Sequence, residues 1–188
     1  MSEKRNQIID MACQLMETQG YHATGLNQIL VESGAPKGSL YYYFPDGKEE
    51  LGVAVVGNSG RLIEQRIRGV MAEIDDPATA VTTFITLLAA QVDASGYRAG
   101  GPITAIALES ASTNDRLREA CHQAYQSWQE VFAEKLRQGN FDEARARRLA
   151  ALIISALEGG IILSRSQHSP QPLLDVAEEI GLLLQCSV

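Results

Sequence analysis

Between Thr24 and Phe44 the chain reads TGLNQILVESGAPKGSLYYYF, setting hydroxyls, phenols, a lysine and turn-forming residues side by side. Groups of this kind suit contact with phosphate oxygens and base edges rather than bond making. Local signals give the stretch a shape. Residues 26–33 read as a short helix with Thr24 as its N-cap, and Gly34 supplies a tight turn. Pro36 opens a second helix, where its missing N–H is unpaired anyway. Two short helices across a brief Gly-containing turn make a helix-turn-helix, whose second helix is built to enter a DNA major groove.

The second helix shows which face enters. At about 100° per residue, Leu40 and Phe44 fall on one side and pack inward, while Gly38, Tyr41 and Tyr42 point the opposite way. Lys37, Ser39 and Tyr43 lie on the flanks. Three consecutive tyrosines cannot all face one core from a helix. Lysine can reach guanine O6 and N7 in the groove, and phenols can reach phosphates.

Other chemistry lacks a comparable constellation. Cys13, Cys121 and Cys186 form neither a paired framework nor a metal-like spacing, and a redox role for any of them is left open. His22, His122 and His168 are widely separated; Cys121 and His122 adjoin, but neighbours on a helix do not face the same way. There is no nucleophile, base or metal cluster with recognisable spacing and no phosphate-type glycine loop. No enzyme, cofactor or metal is expected.

The 188 residues carry a net charge of -7, with 45% hydrophobic and 21% charged residues, ordinary for a globular protein. That charge argues against a protein that binds nucleic acid by bulk electrostatics. Even residues 1–50 hold only Lys4, Arg5, Lys37 and Lys48 against seven acids, so placement must matter more than total. If these four cations act in both subunits of a dimer, on the order of eight phosphates are neutralised and binding depends steeply on salt. The N-terminus, MSEKRNQIID, has no apolar core of a secretion signal, and the protein is expected in the cytoplasm. The apolar run 149–163, broken by Ser155 and Glu158, reads as too short and too polar to span a membrane.

The elements that must position the motif are all helical. A helix over 4–19, with Ile8, Ile9, Ala12, Leu15 and Met16 at helical spacing, braces it and ends at Gly20. After Phe44, Asp46 and Glu49 form a capping pair for a helix reaching about residue 74. Its Gly52, Gly57 and Gly60 fit either close packing or a pliant mechanical link. Further helices read at 78–94, 103–111, about 115–138, one capped by Asp142, and one after Pro170 and Pro172. The last two are apolar on more than one face, which calls for burial on nearly all sides. A second subunit achieves that, with Gly159 and Gly160 allowing close approach. The fold class is all-α, about nine helices: a DNA-binding domain over 1–50, with its motif at about 25–44, and a larger helical domain over 51–188.

The run Gly34-Ala35-Pro36-Lys37-Gly38-Ser39-Leu40-Tyr41-Tyr42-Tyr43-Phe44, followed by Lys48, Glu49, Glu50 and Leu51, resembles the signature of the tetracycline-repressor (TetR) family of bacterial transcriptional regulators. Gly20, Tyr21, Thr24 and Ile29 fall where that signature expects them. Pro45, Asp46 and Gly47 make the spacing to Lys48 one residue longer than is commonest. With the Ala-Pro-Lys-Gly-Ser run, that is similar to the LmrA/YxaF-like subgroup, and it leaves the role of Lys48 open.

The resemblance implies a homodimer on pseudo-palindromic operator DNA. Thr24, Tyr41, Tyr42 and Lys48 then contact phosphates, Lys37, Gly38 and Ser39 approach bases, and Tyr43 completes the reading surface. It implies a dimer bundle of the last two helices, for which Leu152, Ala156, Gly159, Gly160, Leu163, Val176, Ile180 and Leu183 are the candidates. It also implies a small-molecule pocket, with Phe84, Leu88, Tyr97, Ile103, Tyr125, Trp128 and Leu163 as lining and Gln91, Glu109, His122 or Ser155 as polar anchors. A hydrophobic or aromatic effector fits that lining. The residues alone leave two alternatives open: a helical protein-interaction module, and an activator that binds DNA without a small-molecule ligand.

Overall fold

The computed structural model describes residues 3–98 and 100–185, apart from the side chain of Lys37. Among them are nine helices: α1 (Glu3–Gln19), α2 (Leu26–Ser33), α3 (Lys37–Tyr43), α4 (Lys48–Glu73), α5 (Pro77–Ala94), α6 (Pro102–Ser110), α7 (Asp115–Gln138), α8 (Glu143–Gln167) and α9 (Gln171–Gln185). They form two compact units, Met1–Arg61 with Gly101–Ala124, and Leu62–Gly100 with Tyr125–Val188. The division at about residue 50 separates expected roles; packing divides the chain differently, because α6 and the first half of α7 join the reading head.

In the first unit, Ile8, Ile9, Ala12, Leu15 and Met16 bury the apolar stripe of α1 against α2, α3 and α6. The glycines of α4 divide by environment. A Cβ on Gly52 would stand 3.0 Å from both Leu117 and Tyr21, and one on Gly60 would stand 3.1 Å from the Ala124 methyl. Around Gly57 only the Arg61 guanidinium comes near, at 3.7 Å. Close packing thus accounts for Gly52 and Gly60 and leaves Gly57 unexplained by contact. Gly57→Ala is expected to raise the melting temperature, gaining up to about 1 kcal/mol of helix propensity. Gly60→Ala is expected to lower it, since overpacking costs about 1–3 kcal/mol and Ala124 has little room to yield. Thermal unfolding of the two variants checks the contrast.

In the second unit α9 packs mainly along α5, and α8 packs against both. Asp76 caps α5 by accepting from the Thr79 N–H at 2.8 Å, and Asp142 caps α8 from the Arg145 N–H at 3.0 Å. Two glycines mark close crossings here. A Cβ on Gly160 would meet Leu173 at 2.7 Å, and one on Gly139 would meet Pro77 at 2.3 Å. By length and composition α8 as a whole is apolar enough to cross a membrane, contrary to the expectation from its 149–163 segment. Its buried stripe from Ala146 to Ser164 packs on α5 and α9, which is the environment of a core helix.

Candidate nucleic-acid interface

The turn between α2 and α3 closes at Gly34, whose φ of 66° is left-handed and whose N–H donates to the Val31 carbonyl at 3.3 Å. Pro36 stands at the N-cap, one residue before the helix, and its carbonyl accepts from the Ser39 N–H at 2.8 Å. From there α3 turns as its periodicity requires. Leu40 and Phe44 are fully buried, whereas Tyr41 is 61% and Tyr42 78% exposed. Tyr43 sits edge-on to Tyr42 with centroids 4.9 Å apart, and Gly38 faces open space. The Arg5 guanidinium of α1 lies 5.1 Å from the Phe44 ring centroid, a cation–π contact at the end of α3. The backbone of Lys37 opens the helix; its side chain lies outside the described residues.

Two expected contacts are placed elsewhere. Thr24 is fully buried: its hydroxyl donates to the Gly20 carbonyl at 2.7 Å and accepts from Gln19 Nε2 at 3.3 Å. The N-cap of α2 is Gly25, with no side-chain capping bond. Thr24 therefore anchors the link before α2 from inside, because a buried hydroxyl must find its partners within the protein. Lys48, half-buried, is also engaged within the protein. Its Nζ donates to the His22 carbonyl at 3.1 Å and lies 4.8 Å from the centroid of Tyr21. Burial lowers the pKa of this amine, and the charge of Glu109 opposes that shift.

The capping of α4 also differs from expectation. The carboxylate of Glu50, not Glu49, accepts from the Asp46 N–H, at 3.1 Å. Glu49 is engaged by Arg116 at 2.9 Å and by Asn114, and Arg116 reaches Asp46 at 3.0 Å. One arginine from α7 thus offsets two acids beside the reading head. Exposed pairs of this sort add little stability. Their consequence is electrostatic, since they reduce the negative potential beside the reading head. Sequence spacing carries no signal of this pairing, for about 70 residues of chain separate the partners.

Comparison with known proteins decides the family. Residues 8–55 match the bacterial regulatory proteins of the tetR family, and residues 77–179 match the C-terminal domain of LmrA/YxaF-like transcriptional regulators. The chain is a TetR-family transcriptional regulator. It is 44% identical over 183 residues to the HTH-type transcriptional regulator YxaF of Bacillus subtilis, covering 97% of this chain and 96% of that one. To the HTH-type transcriptional regulator LmrA of the same organism it is 41% identical over 183 residues, covering 97% of each. The crystal structure of a regulatory protein TetR from Rhodobacter sphaeroides superposes with a TM-score of 0.86 at 21% identity, over 96% of this chain and 98% of that one, which establishes the shared fold.

The pocket candidates of this TetR-family regulator fall in both units. In the first, Ile103 is buried and His122 exposed, and Glu109 is bonded to His22. In the second, Phe84 meets Phe132 edge-on at 5.8 Å, and Tyr125 meets Trp128 at 5.2 Å. Trp128 and Phe132 are four residues apart on one face of α7, so these rings belong to one aromatic wall. Leu88 is half-buried and Gln91 exposed. Tyr97 bonds Asp93 and packs on His168 instead, while Ser155 and Leu163 point outward from α8.

The dimer candidates also divide. Leu152 and Leu163 are about half exposed, with Ala156 and Gly159 between them on the same face, and nothing lies within 4 Å of a Cβ placed on Gly159. Val176 and Leu183 are half-buried on α9. Gly160 and Ile180 are used in the regulator's own core, because α9 presses its inner face against α5 and α8. Burial raises the pKa of the Cys121 thiol to about 11 and, in the same direction, that of Cys13, so neither is favoured as a thiolate at neutral pH. Cys186 lies outside the described residues.

Proposed function

We propose that this chain is a repressor that binds a pseudo-palindromic operator as a homodimer and is released by a small hydrophobic or aromatic molecule. The observation that carries the DNA-reading part is the outward Tyr41–Tyr42 face of α3, standing on the buried Leu40 and Phe44. Lys37, Gly38 and Ser39 approach bases from the same helix, with Tyr41, Tyr42 and Tyr43 toward the backbone. A two-fold dimer sets its two reading helices roughly 34 Å apart, one DNA turn. The open stripe Leu152-Ala156-Gly159-Leu163 on α8 supports self-association, and Val176 and Leu183 extend the contact on α9.

The aromatic rings of Tyr125, Trp128, Phe84 and Phe132 suit a flat, apolar effector, for which the core must open, since Trp128 and Phe132 are buried. To release DNA, such a molecule must prefer the DNA-incompetent state; a hundredfold preference corresponds to about 2.7 kcal/mol. A mobility-shift experiment with the regulator's own upstream region, with and without competitor DNA, tests the reading. A specific shift that aromatic compounds reverse is expected; no shift at any salt concentration sinks it. Within that assay Tyr42→Phe is expected to weaken all sequences alike. Lys37→Ala is expected to relax specificity as well, by about 1–3 kcal/mol at the base it reads. Binding titrations on operator and scrambled DNA separate the two effects.

A further inference from the structure

The link between α1 and α2 is held from outside by two elements that are distant in sequence. Gly20 turns the chain at a φ of 90°, and a Cβ there would stand 2.3 Å from Glu109 Oε1, so the carboxylate occupies the space a side chain would need. The other oxygen, Glu109 Oε2, accepts from the His22 N–H at 2.7 Å. His22 Nε2 lies 3.1 Å from the Glu109 carbonyl oxygen. From the start of α4, Lys48 Nζ donates to the His22 carbonyl at 3.1 Å while lying over the Tyr21 ring. The backbone donor, backbone acceptor and ring of one exposed link residue are thus all engaged, by α6 on one side and α4 on the other.

We propose that Glu109, His22 and Lys48 form a polar latch that orients the helix-turn-helix, and that Lys48 acts in it as a positioning residue rather than as a phosphate contact. The inference rests on the DNA-reading role of α3. Two residues after His22 the buried Thr24 grips the Gly20 carbonyl, and Gly25 then caps α2. The direction of α2, and of α3 across the Gly34 turn, follows from how this link is held. The left-handed Gly47, at a φ of 72°, ends the loop that delivers Lys48 to the first position of α4. Glu109 supplies the compensating negative charge, which a phosphate supplies in the opposing view.

Salt dependence separates the two roles. Loss of one phosphate contact per subunit changes the slope of log affinity against log salt by about 0.9 for each, or nearly two for a dimer. Loss of a positioning group lowers affinity at every salt concentration and leaves the slope alone. Three variants test the latch by operator titration over a salt series and by amide hydrogen exchange. Lys48→Met keeps an apolar stem over Tyr21; it is expected to bind about tenfold more weakly with an unchanged slope. Glu109→Ala is expected to lose about tenfold as well and to speed exchange of the His22 amide, with α1 core amides as slow as in the wild type. Glu109→Gln retains an acceptor for that amide and is expected to recover most of the affinity.

A slope change of nearly two in Lys48→Met, or a His22 amide equally protected in Glu109→Ala, overturns the latch. So does wild-type affinity in Glu109→Ala. If the wild-type regulator binds no DNA from its own upstream region, the regulatory reading fails instead, and the exchange measurement still decides the latch by itself.

Discussion

Phe44→Ala is expected to weaken operator binding by destabilising the reading head, not by removing a contact to DNA. Phe44 is fully buried, its N–H donates to the Leu40 carbonyl at 2.7 Å, and its carbonyl accepts from the Gly47 N–H at 2.9 Å. The ring therefore sits where α3 ends and the loop to α4 begins, with Arg5 lying against it. Truncating a buried phenylalanine to alanine costs about 3–5 kcal/mol. Against a total of roughly 5–15 kcal/mol for a whole domain, that is a large fraction of the stability of the unit that holds the reading head. Thermal unfolding followed by far-UV circular dichroism is expected to show a marked fall in melting temperature. Tyr42→Ala is the control: the side chain is mostly exposed, so the melting temperature should barely move while binding is lost. Equal melting of Phe44→Ala and the wild type would refute the anchoring role.

Leu163→Glu is expected to convert the regulator to monomers while leaving each chain folded. Leu163 is 51% exposed on the open stripe of α8, so a glutamate there meets water in the isolated chain. In the proposed two-fold contact each stripe residue is counted twice, because the same patch serves both subunits. With Leu163 already half-buried in the single chain, forfeiting about 0.8–1.5 kcal/mol of further apolar burial per copy removes about 1.5–3 kcal/mol, or on the order of ten- to a hundredfold in the dimer Kd, before the cost of burying the new carboxylate. Sedimentation or light scattering at micromolar concentration checks the mass, and operator titration checks the consequence, since a monomer presents one reading helix instead of two. A variant that stays dimeric with wild-type affinity would move the interface elsewhere. Ile180→Glu makes an informative contrast. Ile180 is buried against the chain's own helices, so that change is expected to unfold the second unit rather than separate subunits.

The reading face and its support were legible for local reasons. The burial of Leu40 and Phe44 and the exposure of Tyr41 and Tyr42 follow from helical periodicity within a seven-residue helix, which no distant contact needs to supply. The cap at Asp142 was equally local, a carboxylate meeting an N–H three residues ahead. Thr24 shows where that logic stops. As a residue type it suits an N-cap or a phosphate contact, and the turn of the link after α1 instead aims its hydroxyl back at the Gly20 carbonyl. Glu50 replaced Glu49 at the cap of α4 for a similar reason: Arg116 and Asn114, far away in sequence, claimed Glu49 first.

The amino-acid order by itself determined the helices, the turn at Gly34, the outward tyrosines and the family, because each depends on residues within a few positions of one another. Tertiary structure alone decided which apolar faces remain open. It directed Ile180 and Gly160 into the chain's own core and left Leu152, Gly159 and Leu163 outside, a choice set by how α9 lies along α5 and not by composition. It also decided what the charges do. Arg116 offsets the acids beside the reading head, and Glu109 with Lys48 grips the link before it. Hydrophobic periodicity reports only whether a side chain faces in or out; a charged group's partner is fixed by distances between elements, which one-dimensional spacing does not encode.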